Sequence, residues 1–125
     1  MIVHKKELDI VPGGTKAQIL LNQNDADFQL QFTLSAREGE FTIEEETTAS
    51  IRGTKGKGGA YEAVATVSEG VVTVQGDANM TDEAGQGRFE LCLTHGGKEL
   101  HTANFLIKIE EAPVQGEAVQ QEGGT

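Results

Sequence analysis

Strict two-residue alternation of large apolar and polar side chains is the feature that most constrains the fold of this 125-residue chain. Over residues 27–34 the apolar positions are Phe28, Leu30, Phe32 and Leu34. Because successive side chains of a strand point to opposite faces, this spacing places all four on one face of a β-sheet. No long segment carries the spacing typical of an amphipathic helix. The chain is therefore predicted to be all-β.

Two more runs repeat the alternation, at residues 88–94 and 100–109. Their predicted inward side chains are Phe89, Leu91, Leu93, Phe105, Ile107 and Ile109. Weaker strands are predicted at residues 2–10, 17–21, 47–52, 61–67 and 70–74. Turn-forming clusters rich in glycine, asparagine and aspartate separate these segments. About eight short amphipathic strands hide their apolar faces most simply in a β-sandwich of antiparallel strands.

The length and the composition favour one folded domain over residues 1–111. Residues 112–125 are acidic and rich in glycine, glutamine and glutamate, which predicts a short flexible tail. The formal net charge of −10 opposes binding to nucleic acid and to anionic membrane surfaces. The sequence also shows no secretory signal and no apolar run long enough to insert into a membrane.

Two loops contain residues that can bind ions. Residues 53–59 combine glycines with two lysines, as phosphate-binding loops do, but the spacing does not match a P-loop. Residues 77–83 alternate oxygen-bearing side chains like a calcium loop, yet Asp82 stands at the glycine position and Arg88 at the position of the bidentate glutamate. We therefore predict a mobile hairpin tip at 53–59 and a capped turn at 77–83.

The remaining candidate groups give no recognisable active site. His4, His95 and His101 share no short spacing with one another or with Cys92, so no metal site is expected. Alternation counted back from Phe105 places His101 on the inner face, while Cys92 is predicted to face outward and, as the single cysteine, can form no internal disulfide. The consecutive glutamates 44–46 and the serines 35, 50 and 68 lack catalytic partners. No catalytic, cofactor-binding or metal-binding residue is predicted, and the interface residues are unknown.

The order in which the segments follow one another carries further information. In sequence, they are 23–27 and 28–34, then 38–43, the glycine-rich hairpin with Tyr61, 70–74, 79–85, 88–91 and 100–109. This order, over roughly residues 2–113, resembles the amino-terminal domain of phage baseplate upper proteins. Each motif is loose by itself, and the resemblance rests on their succession.

The resemblance implies an immunoglobulin-like β-sandwich that anchors an adsorption device or a fibre to a phage particle. It further implies a homotrimer, partners among other phage structural proteins, and assembly into virions in the cytoplasm of a bacterial host. It brings no catalytic residue and no cofactor. Members of the family continue into a helical linker and a fibre portion, so this sequence is expected to be either part of a longer protein or a small virion protein.

Two function classes remain to be compared. The first is a noncatalytic phage or prophage structural protein that self-associates and anchors or decorates a tail, baseplate or fibre. The alternative is a carbohydrate-binding β-sandwich module of a cell-surface enzyme or adhesin. Such modules stack sugars on exposed aromatic rings, whereas this chain has no tryptophan, one tyrosine and five phenylalanines. The composition therefore favours the structural protein.

Overall fold

The computed structural model describes residues 1–13, 16–36 and 39–113. Within them lie ten strands and one short helix, in the order β1 (Ile2–Asp9), β2 (Gln18–Asn22), β3 (Phe28–Ala36), β4 (Gly39–Glu40), β5 (Thr48–Thr54), β6 (Ala60–Ser68), β7 (Val71–Gln75), α1 (Ala78–Thr81), β8 (Gly85–His95), β9 (Lys98–His101) and β10 (Phe105–Glu110). The all-β prediction is confirmed. The tail predicted over 112–125 lies outside the described residues from position 114 onward.

The strands follow one continuous hydrogen-bonded path. Their order is β1-β3-β7-β6-β5-β8-β10-β2, with β4 beside β3 and β9 beside β8. Strand β6 joins the two halves of the path, because residues 60–65 pair with β5 whereas residues 66–68 pair with β7. The path therefore wraps around the core like an incompletely closed barrel, whose two ends are β1 and β2.

Two strand pairings are parallel, which corrects the prediction of a wholly antiparallel arrangement. Strand β1 runs parallel to β3, and β2 runs parallel to β10. The reason is the position of β2, which follows β1 in sequence but lies at the opposite end of the path. The chain crosses to that end and back before it forms β3, and such crossover connections permit parallel pairing where a tight hairpin does not.

The core lies between the two halves of the path. The alternating side chains of β3 are buried as predicted: Phe28, Leu30, Phe32 and Leu34. From the other half, the ring of Phe105 in β10 lies 5.0 Å from that of Phe32 and 6.2 Å from that of Phe89, measured between centroids. Phe105 is fully buried and therefore connects both halves through aromatic contacts.

Gly53 in β5 makes room for a second aromatic contact. It lies between Tyr61 of β6 and Phe89 of β8 in the strand register. A β-carbon at Gly53 would overlap the Phe89 ring, with 2.7 Å to Cγ. Because glycine has no such atom, the Tyr61 and Phe89 rings approach to 6.3 Å in an edge-to-face arrangement.

The predicted strand at 100–109 is broken in the structure, and this changes the position of His101. Residues 102–104 separate β9 from β10. At the break, Thr102 donates its backbone N–H to the Leu91 carbonyl oxygen, and its hydroxyl accepts from the Leu91 N–H, both at 3.0 Å. Because of this break, alternation counted from Phe105 does not give the face on which the side chains of β9 lie. His101 instead pairs with Cys92 and lies on the outer face, so the inward prediction for His101 was wrong.

Helix α1 is a single turn that was predicted as a capped turn. Asp77 caps it, since its Oδ1 accepts a hydrogen bond from the Met80 N–H at 2.9 Å. The Thr81 hydroxyl donates to the Asp25 carbonyl oxygen at 2.6 Å, which ties the turn to the β2–β3 connection. Among the described residues, no helix has the length and apolar character needed to cross a bilayer.

Candidate functional site

The two loops that resembled ion-binding motifs contact each other. Lys55 in the first loop places its Nζ 2.8 Å from Asp82 Oδ1 and 3.0 Å from the Asn79 carbonyl oxygen in the second. Its side chain is only 10% exposed. The hydrogen bond to Asp82 stabilises the ammonium form and raises the pKa of Lys55. The lysine that suggested phosphate binding is therefore used in a contact between loops.

Glu83 completes this contact by occupying the backbone amides of the glycine-rich hairpin. Its Oε1 accepts from the Lys57 N–H at 3.0 Å and from the Gly59 N–H at 3.2 Å. Its Oε2 lies 3.6 Å from Lys55 Nζ. Convergent amides of this kind bind anions, and here the anion is a carboxylate of the same chain. The hairpin tip predicted to be mobile is thus held by Glu83.

Removing this carboxylate is expected to loosen the hairpin. Glu83→Ala leaves two amides without their acceptor and lowers the free energy of unfolding by about 1–2 kcal/mol. Hydrogen exchange at the amides of Lys57 and Gly59 accelerates at the same time. The matched control is Glu45→Ala, which removes an exposed carboxylate from another turn and changes neither quantity. Unchanged exchange at both amides in Glu83→Ala would show that the carboxylate does not hold the hairpin.

A second cluster lies on the outer face of β8 and β9, where no site was predicted. His101 Nδ1 is 3.3 Å from Cys92 Sγ and 3.0 Å from Glu90 Oε2. On the other side of the ring, His101 Nε2 is 3.4 Å from Glu99 Oε1. Arg52 reaches the cluster from β5, with its Nε 3.2 Å from Glu90 Oε2. We call Glu90, Cys92 and His101 the outer-face triad.

Cys92 lies on the outer face of the sheet, as predicted, but its side chain is buried there. It lies on the face opposite to Phe89 and Leu91, yet it is only 5% exposed because the surrounding polar side chains cover it. Burial raises the pKa of the Cys92 thiol. An activated nucleophile needs an accessible thiol with a lowered pKa, so these properties are unfavourable for cysteine catalysis.

Among the other polar residues considered from sequence, Ser50 lies beside the triad as the partner of Cys92 in the β5–β8 ladder, whereas His4, His95 and Ser35 make their contacts elsewhere. His95 Nε2 contacts Glu44 Oε1 at 3.0 Å, near the turn that joins β8 to β9. The His4 ring meets Phe28 edge-on, with 6.4 Å between ring centroids. The Ser35 hydroxyl donates to the Leu8 carbonyl oxygen at 3.5 Å. These contacts bring no further nucleophile next to a base.

The beginning of the chain, where β1 starts, carries a run of exposed apolar side chains. The exposed large apolar side chains are Met1, Ile2, Val3, Leu20, Val64 and Leu100, and the first three are consecutive. In the described residues β1 pairs with β3 and ends the strand path; at Asp9 its carbonyl oxygen also accepts from the Ala103 N–H at 2.8 Å, so the edge open to another molecule is the start of the strand. An edge of this kind can accept a strand or an apolar surface of another molecule.

The aromatic side chains lie mainly in the core. Those that are buried are Phe28, Phe32, Tyr61, Phe89 and Phe105. Phe41 is partly buried against the same core. A sugar-stacking surface needs exposed rings, so this distribution disfavours the carbohydrate-binding alternative.

Comparison with known proteins identifies a shared fold. A scan against family models and a search of curated sequences find no match to this chain. Among solved structures, the N-terminal domain of phage TP901-1 ORF48 matches with a TM-score of 0.69 at 13% sequence identity. The match covers 88% of this chain and 99% of that chain. The resemblance to a phage domain is thereby confirmed at the level of the fold.

Proposed function

We propose that this protein is a noncatalytic structural protein of a phage or prophage virion that anchors or decorates a tail, baseplate or fibre assembly. The carrying observation is the fold shared with the N-terminal domain of a phage protein over 99% of that domain's length. The succession of segments that resembles baseplate upper proteins supports the same class. The proposed partners are other structural proteins of the particle.

We assign the fold to the immunoglobulin-like β-sandwiches in the broad sense. In this assignment, the two halves of the strand path are the two layers, and β6 passes from one to the other. Contacts between Phe32 and Phe105 across the core support it. A rigid sandwich with little exposed chemistry suits a protein whose role is to hold others in place, since repeated copies add modest contacts through multivalency.

Self-association is proposed to use the exposed start of β1. Ile2 and Val3 are 63% and 38% exposed, on an edge strand whose side chains alternate between faces. Burial of such residues against a neighbouring copy would remove apolar surface from water and pair the strand edge. Three copies arranged around one axis would form the homotrimer.

A charge introduced into this surface is expected to weaken the trimer without unfolding the domain. Ile2→Lys places an ammonium group where apolar contact is required, and the dissociation constant for self-association rises at least about tenfold. Because Ile2 is exposed, the melting temperature of the variant stays within about 2 °C of the original value at protein concentrations where both are monomeric. Size-exclusion chromatography with light scattering measures the mass of both proteins across a range of concentrations.

Val64→Lys is the matched control, because Val64 is 84% exposed in the middle of β6 and the substitution changes the charge equally. It should leave the trimer intact. Equal masses for the original protein, Ile2→Lys and Val64→Lys would contradict the proposed interface. A strict monomer at high concentration of the original protein would remove the trimer but not the docking role, since some modules assemble only on their partner.

The virion role itself is tested on particles. Mass spectrometry of gradient-purified particles from the encoding phage or induced prophage should recover the protein at a fixed ratio to the tail proteins. Deletion of its gene should give particles with defective tails, baseplates or fibres, and the intact gene supplied in trans should restore them. Recovery of the protein only from the particle-free fraction would contradict the proposal. Saturable binding on a glycan array would instead favour the carbohydrate-binding alternative.

A further inference from the structure

We propose that the outer-face triad of Glu90, Cys92 and His101 is a binding site for Zn²⁺. A carboxylate oxygen, a sulfur and an imidazole nitrogen converge there, with all three atoms within 4.8 Å of one another. These are the three ligand types that zinc takes from proteins. Such a site is independent of the virion role and reverses the expectation from sequence that the chain has no metal site.

The distances between the three donor atoms fit a tetrahedral ion. Ligands at zinc–donor distances of about 2.0–2.3 Å in tetrahedral geometry lie about 3.5 Å from one another. The observed separations are 3.3 Å for Cys92–His101, 3.0 Å for His101–Glu90 and 4.0 Å for Cys92–Glu90. Shifts of about half an ångström, within the range of side-chain rotation, complete the geometry.

The strands hold these three side chains on one face. Cys92 and His101 are direct partners in the antiparallel ladder between β8 and β9. Glu90 precedes Cys92 by two residues in β8, and positions two apart share a face. The hydrogen bonds of Thr102 to Leu91 fix the end of β9 next to His101. The ligands are therefore supplied by regular strands rather than by loops.

Glu99 occupies the position of a second-shell carboxylate. Its Oε1 lies 3.4 Å from His101 Nε2, the ring nitrogen that does not face the triad. Histidines that bind metals commonly donate this second N–H to a carboxylate, which orients the ring and directs the other nitrogen toward the ion. This contact is a second observation, outside the three ligands, that matches a metal site.

Arg52 is the group that the ion must displace. Its Nε contacts Glu90 at 3.2 Å and its Nη2 lies 3.5 Å from His101 Nδ1. The side chain is 42% exposed, so its ion pair is weak and its rotation into solvent is easy. Glu62, its partner across the β5–β6 ladder, offers another carboxylate. The positive charge of the ion then replaces that of the guanidinium.

Charge and access are both suitable for a divalent ion. When Zn²⁺ binds, the Cys92 thiol loses its proton to solvent, and the thiolate and the Glu90 carboxylate together balance the two positive charges. Glu90 and His101, but not the more deeply placed Cys92, also line a cleft of about 330 Å³ together with Asp9, Pro12 and Lys16. The cleft leaves space for a water molecule as the fourth ligand.

Cobalt(II) is the spectroscopic probe for this site, used with the tag-free, reduced full chain. One equivalent should produce a thiolate-to-cobalt charge-transfer band and the intense visible bands of tetrahedral geometry, and Zn²⁺ should remove both by competition. Zinc at about 100 times its dissociation constant should raise the melting temperature by roughly 8 °C. Absence of the charge-transfer band in the original protein would overturn the proposal.

Variants distinguish the triad from adventitious binding. Cys92→Ser should lose the charge-transfer band, and His101→Gln should weaken binding at least about tenfold. His101 is half-exposed, so its variant remains informative if Cys92→Ser fails to fold. His95→Gln is the control, because His95 lies on the same hairpin and should leave binding unchanged. Binding of unchanged affinity in His101→Gln would overturn the proposal.

Two further variants test the surroundings of the ion. Glu99→Gln should weaken binding about tenfold while keeping the band, as expected of a positioning residue. Arg52→Ala should tighten binding, because it removes the competing cation. Weaker binding in Arg52→Ala would show that the arginine supports the site and would contradict the displacement step.

Discussion

Replacement of Phe105 by alanine is expected to lower the free energy of unfolding by about 4 kcal/mol, the largest effect of any single change considered for this protein. The ring is fully buried and contacts both Phe32 and Phe89. Its removal leaves a cavity between the two halves of the strand path, and close-packed neighbours relax only partly into such a space. Chemical denaturation and a melting curve measure the loss, which corresponds to a fall of about 15 °C in melting temperature.

Leu106→Ala is the matched control in the same strand. Leu106 is adjacent in sequence but points to the other face and is only partly buried, so its loss costs about 1 kcal/mol. Equal destabilisation by the two substitutions would show that the aromatic contacts between the halves contribute little. It would also contradict the position of the core between them.

Asp77→Ala is expected to have the next largest effect, about 3 kcal/mol, because one carboxylate serves two donors. Its Oδ1 caps helix α1 through the Met80 N–H, and its Oδ2 accepts from the Tyr61 hydroxyl at 2.8 Å. Alanine removes the cap and leaves the phenol without its acceptor in a mostly buried position. Urea denaturation provides the measurement.

Asp77→Asn separates geometry from charge. The amide oxygen can still accept from the Met80 N–H, while the amide N–H₂ donates to the Tyr61 oxygen, so the expected loss is at most about 1 kcal/mol. A double-mutant cycle with Tyr61→Phe isolates the hydrogen bond, with an expected coupling of about 1 kcal/mol. If the changes in the free energy of unfolding caused by Asp77→Ala and Tyr61→Phe were additive, the two side chains would not interact and the proposed hydrogen bond would be contradicted.

The same contact predicts a dependence on alkaline pH. Burial and then the hydrogen bond to Asp77 raise the pKa of Tyr61, because both disfavour the phenolate. The folded protein therefore retains the proton at a pH where the unfolded chain loses it. The contribution of Tyr61 to stability is complete below about pH 10, the ordinary pKa of tyrosine, and decreases as the pH rises further. In Tyr61→Phe this component of the alkaline decrease should vanish.

The outer-face triad was not predicted from the sequence. Alternation counted back from Phe105 put His101 inside, because it assumed an unbroken strand. A better signal was present in the turn at Gly96 and Gly97, which both have positive φ, 60° and 80°. Counting outward from a two-residue hairpin turn pairs His95 with Lys98 and, three steps on, Cys92 with His101. The hairpin thus predicts the contact that the linear spacing of the residues conceals.

The loop contact around Glu83 had no such signal. The two loops are separated by β6 and β7, and nothing in either motif indicates that the amides of one receive a carboxylate from the other. The phosphate-like and calcium-like patterns were each rejected for their spacing. The two loops nevertheless carry opposite charges, and in the structure Lys55 of the first loop pairs with Asp82 and Glu83 of the second.

The sequence by itself determined the strands and their inner faces, because a two-residue period of apolar side chains acts locally and holds wherever the strand is unbroken. Only the tertiary structure decided the parallel pairings of β1 and β2, the path that wraps around the core, and the approach of Arg52 from β5 to the outer-face triad. These depend on which strands become neighbours. That choice is made by burial of the whole core at once, which no local period encodes.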